Sequence, residues 1–233
     1  MLICESCNHG YSQKLSACRW CGALSEFAHV TNTIAYLDTE CYPNYWLCRF
    51  STGEIFELFP DTQLDVAGLR KALSNYTIYT FNGTRYDVPM LAGALAGKSC
   101  EQLKALSDYI IADAVKWWEL PGIEWLDHVD IMQVAPGAGS QKMYGAKMHT
   151  RTLQDLPYDP AYKLDWYEIM RVRDYCGIDL IVLQELCETL KSALDLREAI
   201  RKAEGIDVRS KSGPQIAESI FKRKIGYTVQ APV

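Results

Sequence analysis

Two groups of residues in this 233-residue chain have the types and spacing to do chemistry. The first is made of thiols. Cys4-x2-Cys7 and Cys18-x2-Cys21 are two short knuckles separated by ten residues, with Gly22 after the second. Each knuckle aims two thiolates at one point, and four thiolates suit a tetrahedral Zn²⁺. Reduced surface cysteines or a redox pair are the alternatives, and the doubled spacing favours zinc. One structural Zn²⁺ on Cys4, Cys7, Cys18 and Cys21 would supply folding energy that so small and polar a segment cannot draw from a core. His9 and His29 read as loop residues beside it.

The second group is made of carboxylates. Asp38-Thr39-Glu40 follows the apolar run Ile34–Leu37. Side chains alternate along a strand, so Asp38 and Glu40 share a face and repel each other unless a cation lies between them. Asn82-Gly83-Thr84-Arg85-Tyr86-Asp87 follows a second β-rich run and opens a helix. Asp87 there reads either as an N-cap or as one more metal-site acid. Tyr175 and Asp179 stand four apart in a helical stretch and share its face. Asp179 borders an apolar stripe with Ile178, Ile181 and Val182, where an acid is costly unless paired or bound to metal. Hard divalent cations prefer carboxylate oxygens, so this group suits Mg²⁺ or Mn²⁺.

The elements that must position these groups are legible in outline. Ile34–Leu37 reads as a strand, and Tyr45–Phe50 with Glu54–Phe59 as a hairpin about Ser51-Thr52-Gly53. Helical spacing over Leu64–Leu73 turns Leu64, Ala67, Leu69 and Leu73 inward. Thr77–Phe81 is a further strand. A helix with Pro89 just inside its start follows, carries Met90, Leu91 and Leu95, and ends near Gly97. Trp125–Met132 alternates as a strand, in which Asp127-His128-Val129-Asp130 reads as an exposed strand end. A polar, Gly-rich loop spans 137–151, and Trp166–Ala203 is mainly helical. Cys41, Cys48, Cys100, Cys176 and Cys187 lie in apolar settings and read as core. The expected class is α/β, a mixed sheet flanked by helices, with a small zinc-ribbon-like element in front. Residues 1–26 form the knuckle, 30–196 the main domain and 197–233 a helical, basic C-terminal segment.

Composition narrows the function. At 48% hydrophobic residues the chain is not disordered, and its apolar runs are too short and interrupted to span a bilayer. The start lacks the basic and apolar stretches of a signal peptide, so the expected compartment is the cytoplasm, with no membrane partner. A net charge of −5 argues against a basic nucleic-acid coat protein, although not against an enzyme that gathers acids around metal. Between Arg197 and Lys224, eight Lys/Arg against four acids leave +4, a basic arm able to guide a strand. Lys142, Lys147, His149 and Arg151 in the Gly-rich loop are candidate contacts to a DNA backbone.

Taken in order, the carboxylate segments resemble the three exonuclease motifs of the DEDD superfamily of 3′–5′ exonucleases. Asp38 and Glu40 match the first motif, Asn82 with Tyr86-Asp87 the second, and Tyr175 with Asp179 the third, over about residues 34–190. One branch carries His five residues before the last acid, where this chain has Asp174. The other carries Tyr four residues before it, so the chain is similar to the Tyr-containing branch, which includes proofreading domains of DNA polymerases. Leu153–Tyr158 and Ser210–Glu218 also look like segments of phage DNA polymerases. Cys41 departs from the pattern, since relatives often have Thr after the Glu.

The resemblance implies a ribonuclease H-like fold and hydrolysis of DNA, preferably single-stranded, from 3′ ends to nucleoside monophosphates. It implies two Mg²⁺ or Mn²⁺ ions about 3.5–4 Å apart. Asp38 would bridge both, Glu40 and Asp179 would hold the ion that activates water, and Asp87 would help place the ion near the leaving group. Tyr175 would orient the water. Thr39, Phe81, Asn82 and Tyr86 are candidate contacts to the terminal nucleotide, with core packing equally open for Phe81 and Tyr86. Met90 and Leu91 read as helix core. No polymerase motif is visible, and the chain is too short to hold a polymerase as well, so a polymerase module beyond Val233 or a stand-alone nuclease is expected. A phage source would place the work in the bacterial host cytoplasm, beside replisome proteins. An RNA exonuclease of the same superfamily, or a non-catalytic zinc-dependent module binding nucleic acid or replisome proteins, is the rival.

Overall fold

The computed structural model describes residues 2–4, 10–11, 27–29, 33–114 and 116–225. β1 (Leu2–Cys4), β2 (Gly10–Tyr11) and β3 (Phe27–His29) form a small antiparallel sheet in the order β2-β1-β3. Cys4 therefore ends a strand, and His29 lies in β3 rather than in a loop. Cys7, Cys18 and Cys21 of the expected zinc site lie outside the described residues.

A second sheet of five strands holds the main core. It comprises β4 (Thr33–Tyr42), β5 (Tyr45–Phe50), β6 (Ile55–Leu58), β7 (Tyr76–Thr80) and β8 (His128–Asp130) in the order β6-β5-β4-β7-β8. β4, β5 and β6 form an antiparallel meander, while β7 and β8 add in parallel. The helices are α1 (Val66–Asn75), α2 (Asp87–Leu95), α3 (Cys100–Ile111), α4 (Gln141–Met148), α5 (Trp166–Thr189), α6 (Lys191–Glu204) and α7 (Gly213–Ile225). This is an α/β architecture with a mixed sheet flanked by helices, as the sequence predicts.

Alternation along β4 explains the two faces. Ala35, Leu37 and Cys41 point one way and are buried with Leu69, Leu73, Met90, Leu91 and Leu103 of α1–α3. Each of those four leucines and the methionine is fully buried and contributes roughly 1.5–3 kcal/mol. On the other face, Tyr42, Tyr45 and Leu47 pack with Ile169, Val172 and Cys176 of α5, and Val129 and Ile131 pack with Tyr144, Leu183 and Leu186. All five cysteines read as core are buried. Ala67 is exposed instead of buried, with Ala72 taking the inward place. Ile181 is exposed too, because α5 turns that side to solvent.

Several elements differ from the sequence reading. α3 had no predicted counterpart, although Ser99 and Gln102 cap its start reciprocally. The 137–151 segment contains α4, capped by Ser140. Gly145, which the sequence suggests is a loop residue, lies inside this helix. A Cβ there would sit 2.7 Å from Leu153 Cδ2 and 3.0 Å from Val182 Cγ1, so the glycine permits close approach of α4 to α5. The helical stretch from Trp166 is two helices meeting at Leu190, and the strand over Trp125–Met132 shortens to β8.

The reading of Asp127–Asp130 as an exposed strand end is overturned. Val129 and Asp130 are buried, because the C-terminal segment covers this sheet edge. Asp130 N donates to Ser210 Oγ at 2.8 Å, and Arg209 pairs with Asp127 and Asp207, both at 2.6 Å. The same packing consumes much of the basic arm. Arg197 is buried and donates to the carbonyls of Ala193 and Lys211, while Arg201, Lys222 and Lys224 pair with Glu198, Glu218 and Glu204. Among the described residues, no helix is long and apolar enough to cross a membrane.

Candidate active site

The register of β4 creates the site. Its first half, Thr33–Tyr36, pairs with β7, and its second half, Leu37–Tyr42, pairs with β5. β7 ends at Thr80, so Asp38-Thr39-Glu40 runs past it into space occupied by the 81–86 loop and the start of α2. Asp38 and Glu40 share the β4 face that α5 covers, and Cys176 Sγ of α5 lies 3.9 Å from the Asp38 carbonyl as donor. Cys41, one residue on, points to the opposite face and is core, so the departure at this position does not touch the acids.

Asp87 is the first residue of α2 and is 3% exposed. It is not the N-cap, which is Tyr86. Instead Thr39 Oγ1 donates to Asp87 Oδ1 at 2.7 Å, tying the second acidic segment to the first. The Thr39 hydroxyl is thereby committed to a carboxylate rather than offered to a nucleotide. From α5 come Tyr175, buried, and Asp179, partly exposed, while Asp174 faces solvent. The residue four before the last acid, not five, thus enters the site.

Asp38 and Glu40 lie closest together, and the charges of Asp87 and Asp179 bear on both. Burial and the nearby charges of Asp87 and Asp179 push the Asp38 carboxyl well above the usual range. Burial and the charges of Asp38, Asp179 and Asp87 do the same to Glu40, with the Lys142 ammonium pulling back. Asp87 is pushed up to about 7, chiefly by burial and against the Thr39 hydrogen bond. Burial also raises Asp179, opposed by its hydrogen bond with Tyr175 and by Lys142. Four like charges from three segments are costly together unless cations compensate them.

Lys142 is the cation that the structure adds. It lies on α4 with its ammonium 4.9 Å from the Tyr175 ring centroid and 3.7 Å from Asp155. Gln141 Nε2 donates to the Asp179 carbonyl at 2.6 Å, fixing α4 against α5. The signal in the sequence was Ser140 at an N-cap position, hidden by the surrounding glycines.

Asp130 is the second residue that sequence reasoning missed. Its carboxylate accepts from Asn82 N at 2.9 Å, Thr84 N at 3.0 Å and Met132 N at 3.1 Å. It holds Asn82 at φ 63, a left-handed conformation that Asn tolerates better than most residues. Gly83 is required beside it, since a Cβ would fall 1.8 Å from Thr80 Oγ1. Asp130→Ala should strand these amides and cost about 3 kcal/mol, lowering the melting temperature by roughly 6–10 °C. Asp130→Asn, which keeps one acceptor, should cost less. Equal thermal unfolding of Asp130→Ala and the wild type would contradict this role.

Among the other candidate contacts, Phe81 packs on Tyr144 with centroids 6.0 Å apart. Tyr86 packs on the α1–α3 core and its hydroxyl is 2.8 Å from Ser107 Oγ. Met90 and Leu91 are fully buried core residues. Asn82 and Tyr86 also line a cleft with Arg85 and the end of α3.

The donor set fits a hard divalent ion. Asp38, Glu40 and Cys176 each place a ligand atom within 4.8 Å of the others. Two of these three ligand atoms are carboxylate oxygens and the third is a buried thiol. Were a cation held by the carboxylates, their oxygens would favour Mg²⁺ or Mn²⁺ over Zn²⁺. No protein-family model, characterised protein or solved structure matches the chain.

Proposed function

We propose that this chain is a metal-dependent 3′–5′ exonuclease with a ribonuclease H-like fold, hydrolysing DNA, preferably single-stranded, to nucleoside monophosphates. One observation carries the reading. Asp38 and Glu40 lie together on β4, the charges of Asp87 and Asp179 from two other segments bear on both, and Tyr175 is hydrogen-bonded to Asp179. Those are the residues, and the order, that the motif resemblance implies. Helices on both faces of a mixed sheet support the fold part of the reading.

Asp38, Glu40, Asp87 and Asp179 would hold two divalent cations. When bound, these supply the charge that activates a water and stabilises the leaving oxygen. Thr39 ties the Asp87 carboxylate to β4 through its hydrogen bond. Burial and the hydrogen bond to Asp179 push the Tyr175 phenol well above its ordinary value. The hydroxyl therefore keeps its proton and orients a water or phosphate oxygen instead of acting as a base. Lys142 offsets part of the negative charge around Tyr175 and Asp179. In the same reading, Cys4, Cys7, Cys18 and Cys21 hold a structural Zn²⁺, and the chain serves as the proofreading part of a phage DNA polymerase.

Release of nucleoside monophosphates from single-stranded DNA in Mg²⁺ or Mn²⁺, abolished by EDTA, is the expected result. Tyr175→Phe should retain the fold and lower kcat by roughly 10- to 100-fold, the cost of a misplaced reactant. A folded wild type that releases nothing in either metal would overturn the proposal, and an unchanged kcat in Tyr175→Phe would remove the phenol from it.

A further inference from the structure

Tyr175 and Asp179 stand on one flank of α5, and a cation of β5 grips the opposite flank. Arg49 pairs across the sheet with Asp38, so the two side chains leave the same face, the one that α5 covers. Arg49 is half-buried, and its Nη1 donates to the Arg173 carbonyl, one turn before Gly177. A Cβ on Gly177 would lie 2.6 Å from Arg49 Nη1, 2.8 Å from Cζ and 3.0 Å from Nη2. The guanidinium therefore fills a notch that exists only because residue 177 has no side chain. Gly177 is two residues from both Tyr175 and Asp179, which puts it roughly 160° around the helix from each. Glycine in the middle of a 24-residue helix is a poor helix former, a cost that this seat explains.

We infer that Arg49 is a positioning residue: seated against Gly177, it fixes the roll of α5 and so the place at which Tyr175 and Asp179 meet Asp38 and Glu40. The inference rests on the exonuclease reading for the reaction affected. The middle of α5 lies on the sheet through Val172 and Cys176, which pack with Leu47. Apolar contacts of this kind are non-directional and do not by themselves fix rotation about the helix axis. A hydrogen bond on one flank is directional and does. Unseating it lets the opposite flank shift, and a misplacement of about 1 Å there can cost a site roughly 10²-fold.

The test uses the full chain and reads Mn²⁺ affinity from the electron paramagnetic resonance of the free ion, beside single-strand hydrolysis and thermal unfolding without added Mn²⁺. Gly177→Ala should weaken Mn²⁺ binding and lower kcat, each by roughly tenfold or more, with KM little changed. Its melting temperature should match or exceed that of the wild type. Alanine is the better helix former, and the atoms it meets are the far end of a flexible side chain. Arg49→Lys, whose slimmer ammonium can keep the carbonyl bond beside the new methyl, should restore part of both losses in the Gly177→Ala background. Gly177→Ala in an Arg49→Ala background should add no further loss. Wild-type Mn²⁺ affinity in Gly177→Ala, no restoration by Arg49→Lys, losses that multiply in the double variant, or losses that track a lower melting temperature would overturn the inference. A wild type that binds Mn²⁺ but cuts no strand would sink the exonuclease reading alone, and the Mn²⁺ affinities would still decide the role of Arg49. A wild type that binds no Mn²⁺ would overturn both.

Discussion

Asp38→Asn should lower exonuclease turnover by about 10³-fold or more and, in metal-free buffer, raise the melting temperature. The two effects have one cause. Asp38 stands among the carboxylates of Glu40, Asp87 and Asp179, and burial strips it of water that would screen them. The neutral amide keeps the shape and spares the fold the cost of either ionising or protonating a carboxyl beside three others, so the metal-free fold gains. The same change removes the carboxylate expected to bridge both cations, so the chemistry loses its main support. An ordinary core residue behaves oppositely, because a polar replacement there costs stability and activity together. Thermal unfolding in EDTA beside single-strand hydrolysis in Mg²⁺ measures both. A variant that is both less stable and inactive would make Asp38 a structural residue.

Without metal, stability should fall as pH rises from about 5 to 7, and saturating Mn²⁺ should abolish most of that fall. Asp87 titrates near 7 in the fold and near 4 in the unfolded chain. Asp38 and Glu40 are also pushed well above their usual range. A carboxyl that keeps its proton in the fold but is ionised when unfolded makes the native state the better proton binder. Its contribution is complete below the unfolded value and is lost as pH climbs through the folded one, at about 1.4 kcal/mol per pH unit for each group. His128 works the other way. Burial pushes it down to about 4, so it opposes folding as pH drops below its unfolded value near 6.5. It offsets one of the three raised carboxylates there, so the net slope between about 5 and 7 still follows the acids. Metal displaces the protons and supplies the missing positive charge, releasing acid as it binds. Calorimetric scans across this window with EDTA and with Mn²⁺ decide the matter, and a metal-free stability that is flat or rises with pH would contradict the clustering of the acids.

Much of this site could be read before the fold because its residues sit in locally determined elements. Alternation along one strand puts Asp38 and Glu40 together, and helical spacing puts Tyr175 on the face of Asp179. The cap and core spacing around Pro89 and Gly97 located α2, and Gly97 indeed takes a positive φ of 78. What stayed hidden depends on contacts between distant segments. Asp130 acts through backbone amides 46 and 48 residues away, and nothing in Asp127-His128-Val129-Asp130 announces a buried anchor. Lys142 was visible as a cation in a loop, but its place over Tyr175 follows from the packing of α4 on α5 through Gly145, which masks the helix in the sequence. Charge counting over Arg197–Lys224 gives the net charge but not its placement, since a count cannot see that Arg197 and Arg209 turn inward to bind carbonyls and Asp127.

The measurement that bears most directly on the central claim uses one DNA strand labelled at either end, with wild-type and Asp38→Asn protein in Mg²⁺. The wild type should turn the 5′-labelled strand into a ladder that shortens with time, and should release the 3′ label as a mononucleotide from the first turnover. Asp38→Asn should leave both strands intact. Internal cuts, release of a 5′ mononucleotide first, or equal cleavage by the variant would contradict an exonuclease built on Asp38, Glu40, Asp87 and Asp179.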